Sequence, residues 1–456
     1  MPNSPSPTTV RHPLTPGQQG MWFLDRMSGS PVYVDPMTFR LTGTLDIEAM
    51  ARALAHLRGR HEALRSTFPV VDGAPVQEIG GDTHVDVPVV DLSHLPPPER
   101  ESELAAVLES DVRRRFDLAK GPVMRALVVV LAPAEHVLRI TLHHLVSDAW
   151  SWWNVLLPEL ALLYSSELTG EPAGLKPPTA QFSDFAHWQR SWSEGPGAQR
   201  QLDYWKEKLA GLEPLPVLDP AAAPVTRSAG TGRTVATQWT TVPRPVHHAL
   251  REVGRRERVT PFMLLLAGFT VVLHRVSGAS DVAVGTRAAL RSRPEFESAA
   301  GFFVNLLVVR TDVSRAVTFR DLLGLVRRGS LGAYAHRELP FERVVEELRP
   351  RRRTGFHSLV NVLFSHQSTP EVLPAFPGLT AGLLNHDPHT LYDLDLVFYE
   401  EDGDLRALLT HDLARCTEQT ATALLAEITD VLTAVAEDPG IPLDALSTTA
   451  RKHHDG

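Results

Sequence analysis

Apolar and polar residues alternate through "MTFRLTG", "VMRALVVVLA" and "HVLRITLHH", and this period of two predicts strands with one face turned to a core. Between them "DIEAMARALAHLRGRHEALR" carries apolar residues at helical spacing behind Asp46, whose carboxylate is suited to cap the first turn. These elements predict one α/β lobe. A second set follows, with "TPFMLLLAGFTVVLHRV" as a buried helix capped by Thr260 and opened by Pro261. "DVAVGT", "FFVNLLVVR" and "SLVNVLFS" read as strands, "TFRDLLGLVRRGSLGAYA" and "PFERVVEEL" as helices, and "LYDLDLVFYEEDGDLRALLTHD" as a hairpin turning near Asp402-Gly403. The Gly-, Pro- and Ala-rich stretches "GPGAQRQLDYW" and "LPVLDPAAAPVTRSAGTG" mark a connection. The expected order is a disordered N-terminus over 1–12, a first lobe over 13–178, a connection over 179–230, a second lobe over 231–446 and a disordered tail over 447–456.

Composition narrows the partners. A chain of 456 residues exceeds what one core usually supports, which agrees with two lobes. A net charge of −9 argues against nucleic acid or an anionic membrane as partner and leaves small molecules or proteins. The single cysteine, Cys416, permits no intramolecular disulfide and no cysteine-based metal site. "MPNSPSPTTVRHPLT" has no apolar leader, and no stretch approaches eighteen uninterrupted apolar residues. A cytoplasmic chain is expected.

The candidate chemistry lies in "HHLVSDAWSWW", residues 143–153. Counting by two along the preceding strand puts Leu138, Ile140, Leu142 and His144 on one face, and Arg139, Thr141 and His143 on the other. His144 is therefore expected to continue the core-facing row, desolvated and neutral, the state a general base requires. Asp148 falls where the strand turns into a helix; it could cap that helix, hold an imidazole or pair with an arginine elsewhere. "HHALRE" from His247 repeats the histidine pair with an acid but lies in a charged helical stretch, and reads as a solvated face. Taken alone, the pair at 143 is compatible with both a reactive and a structural corner.

"HHLVSDAWS" resembles the HHxxxDG motif of condensation domains of nonribosomal peptide synthetases, and further segments resemble that family's other motifs in order. "LTPGQQGMWFLDRM" (14–27) is similar to the first and "RHEALRSTF" (60–68) to the second. "FSDFAHWQR" (182–190), "GFFVNLLVVR" (301–310) and "HRELPFERVV" (336–345) are similar to the fourth, fifth and sixth, and "TRAALRSRPEFESAAGFFVN" to the lead-in to the fifth. The resemblance runs from about residue 12 to 446. It implies an α/β fold of two lobes, each like a chloramphenicol acetyltransferase monomer, set as a V-shaped pseudo-dimer with a central tunnel. It makes His143 and His144 the motif histidines, with His144 catalytic, and gives Asp148 a structural role with Arg291 as partner. Ala149, Trp150, Ser151 and Asn305 become candidates for the substrate channel, although Trp150, Trp152 and Trp153 read first as packing. Two departures stand out: Ala149 replaces the motif glycine, and Leu306 replaces a threonine of the fifth motif.

The implied reaction is acyl transfer from the phosphopantetheine thioester of a donor peptidyl carrier protein to an amine or hydroxyl, with no bound cofactor and no metal. The acceptor would sit on a second carrier protein or be a free small molecule, and His144 would either take its proton or orient it. The chain opens on a methionine and closes soon after "GIPLDALS" without an adjoining adenylation or carrier segment, so a free-standing enzyme is expected. Free-standing relatives, including those of enediyne pathways, make esters as well as amides. Two other readings share the fold. "SWW" after the motif favours an epimerization domain, which "PFERVVEEL" and "GFFVN" oppose; Ala149 favours an inactive protein-recruiting platform, which the intact "HHLVSD" opposes. Plant-type acyltransferases carry a DFGWG segment that is absent here. "RPRRR" (349–353) and "GTGRT" (230–234) read as loops and His453-His454 as disordered tail.

Overall fold

The computed structural model describes residues 10–28, 31, 33–216, 234–349, 359–368, 373–384, 390–401 and 403–448. Two compact units make up the chain: Met1–Gly195 with Ala289–Val304 and Val372–Asp387, and Pro196–Ala288 with Asn305–Glu371 and Pro388–Gly456.

In the first unit a five-stranded sheet runs in the order Leu379–Leu383, Val34–Gly43, Glu135–His143, Met124–Ala132, Val89–Asp91. Its first three pairings are antiparallel and the last is parallel. The strand ending in the histidine pair is thus central, with Val34 opposite His143 and Met124 opposite Leu142. Its residues His136–His143 are all buried, so both faces of the sheet are covered there. Helix Ile47–Arg60 packs on helix Leu157–Thr169. The first begins at Asp46, whose carboxylate accepts the Ala49 N–H at 2.8 Å, as its position before the apolar periodicity predicts.

The second unit holds a six-stranded sheet in the order Val304–Asp312, Asp281–Ala289, Val362–Ser368, Leu394–Glu401, Asp404–Asp412, Val235–Val242. Helices Arg244–Glu257, Pro261–Ser277 and Glu418–Glu437 pack together. Thr260 caps the second of these through the Met263 N–H. Among the described residues no single helix is long and apolar enough to cross a membrane.

Three expectations need correction. Residues 10–13 are not part of a disordered terminus: they form a strand, with Val10 opposite Ile79. The span 179–230 is not a plain connection, because Phe182–Ser193 and Pro196–Leu209 are helices. Pro196 occupies a helix's first position, where its missing N–H costs nothing, and Gln181 and Asp184 close a capping box. Finally, residues 289–304 and 372–387 belong with the first unit, a division that contiguous spans cannot express. Strand Leu379–Leu383, unforeseen from the sequence, comes from the second of these insertions. The stretches 217–233 and 350–353 and the tail beyond Thr448 lie outside the described residues.

The edge pairing of that inserted strand depends on one glycine. Gly43 has φ of +127°, and a Cβ there would lie 2.1 Å from the Gly378 carbonyl oxygen. Gly73 also has a positive φ, +80°, but a Cβ there meets nothing. Gly43→Ala is therefore expected to lower the free energy of unfolding by ~2–4 kcal/mol and Gly73→Ala by about 1 kcal/mol, measured by chemical denaturation.

Candidate active site

The strand of the histidine pair stops at His143, and His144–Val146 forms a tight 3-10 turn. The expected burial of the pair is reversed. His143 is buried, with 1% of its surface exposed, while 36% of the His144 side chain reaches solvent. The desolvation expected at His144 belongs to His143, whose pKa burial pushes below the ordinary histidine value, against the opposing pull of Asp25.

The tautomer of His143 follows from its neighbours. Its Nδ1 accepts the Leu145 N–H at 3.1 Å, so the ring proton of the neutral form sits on Nε2, 3.7 Å from Asp25 Oδ1. Phe116 and Tyr33 pack around the ring. Both nitrogens are buried in protein, Nδ1 committed to the Leu145 N–H and Nε2 facing Asp25 without a hydrogen-bond partner. Gln18 braces the same turn, donating from Nε2 to the Leu145 carbonyl at 3.0 Å while Thr15 and Gln18 cap each other's backbone.

His144 is held differently. Its backbone N–H donates to the Tyr33 carbonyl at 2.8 Å, and its ring meets the edge of Phe302 at 5.3 Å between centroids. Nδ1 is buried without a hydrogen-bond partner, and Asp35 Oδ2 lies 3.8 Å away.

Of the possibilities open for Asp148, the structure selects two and rejects the imidazole. Oδ1 accepts the Ser151 N–H at 2.7 Å, capping the wide turn Ser151–Leu156, and Oδ2 accepts the Phe303 N–H at 2.9 Å. Arg291 Nη2 lies 3.2 Å from Oδ1, with both side chains almost fully buried. The guanidinium also donates to the carbonyls of Phe296 and Ala299 and to Ser151 Oγ, and stacks 3.9 Å from the Phe303 ring centre. Burial pushes its pKa down from the ordinary arginine value, opposed by Asp148. Asp148 and Arg291 thus form a buried ion pair, the partnership that the resemblance leads one to expect.

Two channel candidates are corrected. Ser151 is fully buried and its Oγ exchanges hydrogen bonds with both the carbonyl and the N–H of Gly301, so nothing is left for a ligand. A side chain at Gly301 would run into Phe182, 2.1 Å from its Cβ position. Asn305 lies in the second unit and spends its amide on the carbonyls of Arg337 and Leu339 and the N–H groups of Phe341 and Leu306. Trp150, read as core, is 39% exposed and donates to the Glu297 carbonyl; Trp152 is buried. Ala149 is exposed and outside the left-handed backbone region, so replacing the motif glycine introduces no strain there. His247, read as solvated, is buried on its helix and faces the Gly403 carbonyl.

Asp25, Asp35 and Gln18 were missed, since single polar residues more than a hundred positions from the motif carry no spacing signal. Gln18 and Asp25 do lie within the stretch 14–27 that resembles the first family motif, and Asp35 has a mark of its own, an acid followed by proline within a strand. Beside Asp25 opens a cleft of about 530 Å³ lined by Trp22, Phe68 and Phe116 and by charges of both signs, with Arg115 facing Asp25 and Lys120 facing Asp117.

A profile of the condensation-domain family matches residues 10–455. One of the large proteins of the linear gramicidin synthase of Brevibacillus parabrevis is 38% identical over 97% of this chain, which spans 6% of that protein's length. Among solved structures, the complex of the X-domain and OxyB from teicoplanin biosynthesis aligns with a TM-score of 0.84 at 26% identity, covering 97% of each chain. SgcC5 protein from Streptomyces globisporus, in complex with (R)-(-)-1-(2-naphthyl)-1,2-ethanediol and sucrose, aligns with a TM-score of 0.75 at 27% identity, over 94% of this chain and 100% of that one.

Two outcomes are expected. Asp148→Ala leaves a buried guanidinium and two buried N–H groups without their acceptor, and denaturant titration should show a loss of about 3–5 kcal/mol. For His143 the sign runs from its lowered pKa. Below the ordinary value near 6.5 the unfolded chain binds a proton that the folded chain resists, so this stability is complete above that pH and lost as pH falls. His143→Gln, which keeps an acceptor for Leu145, should flatten the decline in melting temperature below pH 6.5.

Proposed function

The chain belongs to the condensation-domain family, and on that premise we propose that it transfers an acyl group from a carrier-protein phosphopantetheine thioester to an amine or hydroxyl acceptor, with His144 as the reacting histidine. The observation that supports this most directly is the asymmetry of the pair: the His143 ring is buried, with Nδ1 spent on the Leu145 N–H, while His144 is partly open to solvent. The acceptor X–H adds to the thioester carbon, the new C–X bond forms as the C–S bond breaks, and the acceptor proton leaves with the departing thiol. In this reading His144 carries that proton from one to the other. Asp148 and Arg291 act only by holding the turn on which His144 stands.

A donor carrier protein is the proposed partner, with the acceptor on a second carrier or free. The peptide-synthetase relative favours an amine acceptor, while the diol held by SgcC5 favours a hydroxyl. Proton removal separates the two. An amine with a pKa of roughly 8 is partly free at neutral pH and needs mainly positioning, whereas a hydroxyl needs a base.

The X-domain bound to OxyB supports a second reading, a fold of this kind serving to recruit another protein. The intact histidine pair, with one ring open, weighs against it. The deciding experiment mixes a loaded donor carrier with amines and alcohols and follows products by mass spectrometry. Acyl transfer is expected; a silent protein that still bound a partner would favour the platform. His144→Ala should lower ester formation about 10²–10⁴-fold and amide formation by less than about 10-fold, and equal modest losses in both would remove the base role.

A further inference from the structure

We propose that Asp35 is a positioning residue for His144, fixing its tautomer and stabilising the imidazolium that forms when the acceptor gives up its proton. Asp35 lies on strand Val34–Gly43, the antiparallel neighbour of the histidine strand, whose register sets it opposite Leu142. The residue after it is Pro36, which confines the Asp35 backbone to extended conformations. Its carboxylate is held from the other side: Oδ2 accepts the Trp152 indole N–H at 2.7 Å and the Ser147 hydroxyl at 2.8 Å. Both donors come from the motif segment itself. The same oxygen faces His144 Nδ1 at 3.8 Å, and that nitrogen is buried without another partner.

A fixed negative charge there places the ring proton on Nδ1 and leaves the Nε2 lone pair for the acceptor, the arrangement in which a carboxylate orients and supports a histidine base. The second acid nearby, Asp25, is turned to His143 and Arg115 instead. Because a hydroxyl demands more of the base than an amine, Asp35 should matter most for ester formation. This inference rests on His144 acting as base in the proposed reaction, but its first test does not.

Nitrogen-15 spectra of the full chain with labelled histidine, with the His144 signals identified by their loss in His144→Gln, report the tautomer without any substrate. Nδ1 protonated and Nε2 unprotonated is expected; the reverse tautomer in the unmodified protein would overturn the proposal. Asp35→Asn keeps an oxygen for Trp152 and Ser147 but removes the charge. It should shift the tautomer balance and lower kcat for ester formation about 10- to 100-fold, with KM within about twofold and a smaller effect on amide formation. An unchanged tautomer and kcat in a normally folded variant would also overturn it. If the unmodified protein transfers no acyl group, the functional reading fails, while the spectra still decide the pairing of Asp35 with His144.

Discussion

The site depends on a buried cation that must be neutralised. Arg291 enters the interior of the first unit from the segment 289–304 and Asp148 from the turn behind the histidine strand, more than a hundred residues earlier in the chain. Neither charge is tolerable alone, because desolvating an unpaired ion costs several kcal/mol. Together they are neutralised: carbonyls of Phe296 and Ala299 and the Ser151 hydroxyl accept from the two terminal nitrogens of the guanidinium, and the N–H groups of Ser151 and Phe303 fill the carboxylate. Two distant segments are thereby locked in one arrangement, and the ring edge of Phe302 is set against His144 as a consequence.

This lock explains which parts of the site could be read in advance. The strands and helices were legible because their apolar periods are long and capped, at Asp46 and Thr260 for instance. The fate of Asp148 was not legible from its neighbourhood, since an acid at a strand-to-helix corner serves a cap, a ring or a cation equally well; only the resemblance brought in Arg291. The face of His144 failed for a narrower reason. Period two places a side chain only while the strand continues, and nothing apolar marks the point where the backbone enters the 3-10 turn. The turn takes His144 off the strand, and His143 is desolvated because both faces of the sheet are covered there.

The polar residues lost as channel candidates failed in a shared way. Ser151 and Asn305 stand in matched motifs, yet each spends its hydrogen-bonding capacity on backbone groups of a segment that it pins. A motif position therefore records a constraint without saying whether the constraint is chemical or architectural. Counting partners separates the two: a buried polar group with every donor and acceptor used is architecture, and one with an atom to spare remains available. By that measure Asp148, Ser151 and Asn305 hold the frame; His143 spends Nδ1 on the same turn and keeps a buried Nε2 facing Asp25, and His144 with Asp35 is what the frame presents.

The same distinction bears on how far a shared fold can carry a function. Comparable backbone similarity links this chain to an X-domain bound to another protein and to a structure holding a small diol. Backbone agreement cannot choose between recruiting a protein and receiving a small acceptor, because the Asp148–Arg291 lock preserves the scaffold in either case. The choice falls to the few side chains the lock does not consume. A solvent-reaching imidazole set near a carboxylate that is itself held by Trp152 and Ser147 is costly to maintain in a merely architectural corner, where an apolar residue would serve as well. That cost is the physical argument for the chemistry proposed at this position.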